Sequence, residues 1–181
     1  MKKIADKKRK QNVTEYILYF FQMEDIIRAY AFNMDDLETY VVSHYPIPEA
    51  EKKETLEWLA GLAEAMKVNG IEKHGHLPEI QQTVDELASL HWELLKTDNQ
   101  YFEIYRKAKS YVVQSILDVG DRNPGHEIQI CLHSIYGQLL SRLHGREIPP
   151  AILEANERFG DLLSYLAWVF HHREREKISR N

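Results

Sequence analysis

A single cysteine, Cys131, rules out any disulfide within the 181 residues. That fits a reducing cytoplasm, the expected compartment. No run of about 18 uncharged apolar residues is present to span a bilayer, and the basic start lacks the apolar core and small-residue cleavage site of a secretory signal. Catalytic signatures are missing too. There is no Gly-x-Ser-x-Gly, no P-loop and no Gly-x-Gly-x-x-Gly. The spacings Glu-x-x-His, His-x-x-x-His and His-Glu-x-x-His are also absent, so di-iron bundles and zincin chemistry lack their ligands and no metal or cofactor is expected. A net charge of −5 and a pI near 6.0 disfavour nucleic acid as the main partner.

What remains is an ordinary globular composition, 44% hydrophobic and 28% charged, of one-domain length over residues 1–181. Residues 1–10 carry six cations against Asp6. They read as a solvated, fraying helix start, with a basic arm for nucleic acid or anionic lipid as the sharper alternative. From Glu15 to Ala29 runs the stretch that organises the chain. Val13, Ile17, Phe20, Glu24, Ile27 and Ala31 repeat at helical steps, and Tyr16, Leu18, Tyr19, Phe21 and Met23 make the helix apolar over most of its circumference. Such a helix belongs at the centre of a bundle.

Asn33 caps a short helix from Met34 to about His44, ended by Pro46 and Pro48. A third helix follows through Leu56, Leu59, Leu62, Ala63 and Met66 to Asn69-Gly70. A connector with His74, Gly75 and His76 leads to Pro78 and a stripe of Ile80, Val84, Leu87, His91, Leu94 and Leu95. Thr97 or Asp98 caps the next helix, striped by Tyr101, Ile104, Tyr105, Ala108, Val112, Ser115, Ile116 and Val119. Residues 120–125 read as a loop. The sixth helix, about His126 to His144, is expected to bury Ile128, Leu132, Ile135, Leu139 and Leu143. The last carries Ile152, Phe159, Leu162, Leu163, Leu166, Val169 and Phe170, then a tail that opens with His171 and His172, read as solvated, and is charged and frayed over 173–181. No strand is expected. The predicted fold is all-α, an up-and-down bundle of six to seven helices with the N-terminal helix central.

Two polar residues interrupt apolar stripes. Glu24 falls mid-stripe, and a carboxylate buried without a partner has its pKa raised, as acid–base catalysts do. The plainer readings are pairing with Arg28 at i,i+4, or a stripe that ends there. His91 is the same anomaly, and Glu24 and His91 could meet with one of Tyr16, Tyr101 or Tyr105. Gln22, Glu24, Asp25, Arg28 and His91 are therefore the candidate polar core pocket. Cys131 reads as a small buried hydrophobe. His126, His133 and His144 lie too far apart along one helix, about 10 Å and 16 Å, to share an ion. Glu51, Glu54 and Glu57 are similar to the first acidic helix of all-α nucleotide pyrophosphatases, but the second Glu-x-x-Asp helix is missing. They read as a solvated face.

The pattern Tyr-x-x-x-Phe-x-Gln-x-Glu-Asp-x-Ile-Arg-Ala, Tyr16 to Ala29, resembles a family of uncharacterised bacterial all-helical proteins of about this length. That resemblance implies an all-helical bacterial domain and no assigned activity, ligand or catalytic residue. The expectation is a non-enzymatic cytoplasmic protein acting through protein–protein contacts as a homodimer, with Tyr40, Tyr45, Trp92 and Tyr136 as surplus aromatic surface. The alternative is a small-molecule binding protein or enzyme with the core pocket named above.

Overall fold

A computed structural model describes residues 1–119 and 125–179. Among them are eight α-helices, a short 3₁₀ turn at Val42–His44 and no strand: α1 (Lys2–Gln11), α2 (Val13–Ala29), α3 (Met34–Tyr40), α4 (Glu49–Val68), α5 (Pro78–Thr97), α6 (Asn99–Val119), α7 (Glu127–Leu143) and α8 (Pro150–Ser179). The fold is all-α. Except for Gly125, the loop expected at 120–125 lies outside the described residues. Helix punctuation follows the local chemistry. The Asn33 side chain accepts from Asp35 and Asp36 N–H groups, and Gly70 and Gly145 take left-handed φ of +66° and +62° to close α4 and α7. The count exceeds the expected six or seven because residues 2–11 form a helix of their own.

The helices sort into two compact units, one of Met1–Gln11 with Glu15–Gln82, the other of Asn12–Thr14 with Thr83–Asn181. In the first, α2 buries Tyr16, Ile17, Phe20, Phe21, Met23 and Ile27. α1 folds back along it, with Lys8 donating to Glu15 at 2.7 Å and the Arg9 guanidinium over the Tyr16 ring. Trp58 of α4 packs edge-on against Phe20, ring centroids 5.9 Å apart. Within this unit α2 is the central helix its composition predicts.

In the second unit, the step from α5 to α6 departs from up-and-down packing. One residue, Asp98, separates the helices. Its N–H donates to Leu94 O at 2.9 Å, its carbonyl accepts from Phe102 N–H at 3.0 Å, and its carboxylate caps α6 at Tyr101 N–H. A one-residue link bonded into both helices leaves no room to reverse the chain. α8 runs antiparallel to both in turn: Arg173 meets Glu93, Tyr165 meets Asp98, and Glu154 meets Tyr111.

Several expected core positions are exposed. Ile116 is 40% exposed, Ile152 42%, Leu143 61% and Leu139 36%. Their stripes continue to helix ends that no other described part of this unit covers. Tyr136, expected at a surface edge, is buried. His171 is corrected in the same way. It lies in helix α8 rather than a solvated tail, is buried, and its Nε2 accepts the Val13 N–H at 2.9 Å, satisfying an orphan amide at the start of α2.

That bond requires an unprotonated Nε2, and burial lowers the His171 pKa below its ordinary 6.5, with the Glu174 carboxylate opposing and the Arg175 cation adding to the lowering. The unfolded chain therefore binds the proton more readily than the folded one. The contribution of His171 is whole above about pH 6.5 and is lost as pH falls through the lowered folded value. His171→Ala should cost about 1 kcal/mol in urea unfolding at pH 7.5 and flatten the stability profile between pH 6.5 and 5. An unchanged acid limb would remove His171 from that role.

Candidate functional site

α2 presents Glu24 inward, and the connector after α4 comes to meet it. The wholly buried Glu24 carboxylate accepts the Leu77 N–H on Oε1 at 2.8 Å and meets His76 Nδ1 on Oε2 at 2.7 Å. The His76 ring lies flat on Phe21, centroids 3.8 Å apart. Leu77 O accepts the first amides of α5, from Ile80 and Gln81. The Glu24 charge thus sits at the positive end of a helix as well as on two hydrogen bonds.

Arg28, one turn on, does not pair with Glu24. Its Nη1 donates to Asp25 at 3.1 Å, and its Nη2 donates to the carbonyls of Ile71 and Gly75. Glu24 points into the core while Arg28 follows the surface of α2 to the connector, so the i,i+4 pair does not form. Gly75 holds φ +95°, and a Cβ there would stand 3.2 Å from Ile71 Cγ2. Only glycine fits this turn without displacing Ile71. Gln22 is half-buried on the same helix.

His91 belongs to the second unit and makes its own cluster. Nδ1 lies 2.6 Å from the Tyr101 hydroxyl, while Nε2 faces Glu127 Oε2 at 3.5 Å. Tyr105 donates to the other Glu127 oxygen at 3.1 Å. With a carboxylate opposite Nε2, the neutral ring carries its proton there and Tyr101 donates to Nδ1. The His91–Glu127 separation is long for a bond, and neither facing atom has another partner. Burial pushes the Glu127 carboxyl up, but His91 and Tyr105 outweigh it and hold it below the usual carboxylate range. Burial pushes the Tyr101 and Tyr105 hydroxyls and the Cys131 thiol well up, so all three stay protonated at neutral pH. Cys131 is the inert core residue its position suggests.

The structure therefore brings Glu24 to His76, Asp25 to Arg28, and His91 to Tyr101 and Glu127. His76 and Glu127 were missed as partners by sequence reasoning. Glu127 had a signal, the acid in the first turn of α7; His76 had none beyond its place in a Gly-rich connector. The other histidines do local work. His126 caps α7, its Nδ1 accepting from Gln129 N–H, and His144 binds Leu140 O. Glu54 and Glu57 are exposed, and Glu51 half-exposed, as a solvated face requires. No group of three or more His, Cys, Asp or Glu suited to a metal ion occurs among the described residues, and none of their helices is long and apolar enough to cross a membrane.

Residues 2–177 match the family model described as a domain of unknown function, DUF4924, and the chain belongs to that family. No curated protein and no solved structure matches it.

Removing the Glu24 side chain leaves the buried Leu77 N–H without an acceptor, at a cost of about 2–3 kcal/mol. Glu24→Ala should show that loss in urea unfolding together with faster exchange of the Leu77 amide. Glu24→Gln, which keeps an acceptor oxygen, should lose less than half as much. Equal losses would mean that the charge, not the acceptor, holds the connector.

Proposed function

We propose that this DUF4924 protein is a non-enzymatic helical protein of the bacterial cytoplasm that acts through protein–protein contacts, as a homodimer. One observation carries the reading: an apolar surface at the end of the second unit where α6 and α7 finish and α8 begins. Val113, Ile116 and Leu117 on α6, Leu139 and Leu143 on α7, and Ile152 and Leu153 on α8 are all exposed, Leu117 by 67% and Leu143 by 61%. The six residues 144–149 join α7 to α8, and Glu154 meets Tyr111 of α6, so the three helix ends share one side of the unit. Scattered exposed leucines need no explanation, but a group of seven is the apolar centre of a standard interface of about 20–30 residues per partner. Arg142 and Arg146, with Asp118 and Glu147, put both signs of charge nearby, as a self-complementary rim requires.

A second reading, a small polar ligand held near Glu24 and Arg28 of the first unit, draws support from Arg28 Nε, which is buried without a hydrogen-bond partner.

Sedimentation at micromolar concentration in about 1 M salt, where contacts between exposed charges are screened, should give twice the chain mass because the contact is apolar. Leu117→Glu with Leu143→Glu should give a monomer with unaltered helical circular dichroism. A wild-type monomer at tens of micromolar would end the homodimer reading.

A further inference from the structure

Charge is unevenly placed along this chain. Residues 1–11 hold Lys2, Lys3, Lys7, Lys8, Arg9 and Lys10 against Asp6, a net +5; the whole chain is −5, so the remainder is −10. These cations stand on a folded helix. α1 buries Ala5, and on the opposite side Lys3, Lys7 and Lys10 follow one another at i, i+4 and i+7, a single exposed row about 10 Å long. Lys7 and Lys10 have no ion-pair partner among the described residues.

α4 lies beside α1 and carries the opposite sign. Lys3 approaches Glu51 to 3.7 Å, and a shallow groove between the helices is lined by Lys2, Lys3, Glu51, Glu54 and Thr55. From the groove onward along α4, Glu54, Glu57 and Glu64 are exposed and without ion-pair partners among the described residues. Met1 meets Thr55 and Lys3 meets Glu51, so the helices run antiparallel and the cationic and acidic rows extend from this groove in opposite directions; a two-fold axis at the groove pairs such rows reciprocally, cations of each copy over acids of the other. Any other anionic surface would match the α1 row but be repelled by the α4 row.

We infer that the adjoining charge rows of α1 and α4 form a contact surface whose occupant is a second copy of this chain, bound in a reciprocal two-fold arrangement. This surface is in the first unit, separate from the apolar end, and does not rest on the reading proposed above. The two contacts respond to salt in opposite directions. A contact between exposed charges weakens as the screening length falls from about 14 Å at 50 mM salt to about 3 Å at 1 M, whereas an apolar contact persists.

Sedimentation of the full chain at about 50 mM and about 1 M salt separates them. The expected result is an assembly whose mass halves at high salt. It falls from four chains to two if the apolar contact holds, and from two to one if it does not. Lys7→Glu/Lys10→Glu and Glu54→Lys/Glu57→Lys, each with wild-type circular dichroism, should each stay at the high-salt mass in low salt. Mixing the two variants should restore the low-salt mass, because each then meets the opposite sign in both rows. A mass independent of salt, or variants whose mixture fails to associate, overturns the second copy as occupant. A salt-sensitive complex formed only with added polyaspartate or anionic vesicles would assign the cationic row to that partner instead.

Discussion

Everything near the start of α5 depends on one buried charge. Glu24 has no exposure to water, in the most apolar helix of the chain. Transferring a carboxylate there costs several kcal/mol unless donors replace its hydration. The Leu77 N–H and His76 supply those donors, and both come from a connector with no helical period of its own. The dependence runs both ways. The carboxylate is tolerable because the connector reaches it, and the connector is ordered because the carboxylate would otherwise be unpaired. Arg28 adds a second fastening one turn along, spending its donors on Ile71 and Gly75 carbonyls that the tight turn leaves without helical partners. The closeness of that turn explains why position 75 is glycine.

Glu24 was legible as an anomaly because its neighbours at Phe20 and Ile27 fix which side of α2 is inward. Its partner was not, since His76 lies 52 residues away in a segment where no periodicity indicates direction. His91 was legible by the same logic, and Tyr101 was among the partners the sequence offered it; Glu127 became identifiable only once the position of α7 was known. His171 was misread because charged neighbours obscured it. Extending the steps of four from Leu163 through Ala167 places it on the buried side, which is where it stands. The helical repeat of α2 reads on to Ala31, two residues past the end of the helix at Ala29. Ala31 and Phe32 turn the chain at φ 50° and 62°, a conformation that normally announces itself with glycine.

Topology was the weakest inference. Short links imply antiparallel neighbours only when the link has enough residues to reverse direction, and Asp98 alone does not. Its side chain caps α6 while its backbone continues the ladder of α5, so one residue serves as the end of one helix and the start of the next. The consequence extends to α8, whose 30 residues lie along both helices in succession. Burial was overestimated for the same reason. A stripe in sequence states that a face is apolar, not that this chain covers it.

That distinction carries the functional argument. Leu139 and Leu143 stand on the same side of α7 as the buried Ile128, Leu132 and Tyr136, and Ile116 closes a face of α6 that begins with Tyr105 and Val112. Selection for core packing alone gives no reason to continue an apolar stripe past the last neighbour, where polar residues would serve solubility better. The charge rows of the first unit raise the complementary question. Like-signed side chains one turn apart repel, and exposed single pairs contribute little to stability. The rows Lys3, Lys7, Lys10 and Glu54, Glu57, Glu64 therefore do little for the folded chain, and in the proposed contact their part is to set orientation. An apolar surface provides strength without direction and a charge pattern provides direction without much strength, so the proposed assembly draws a different property from each.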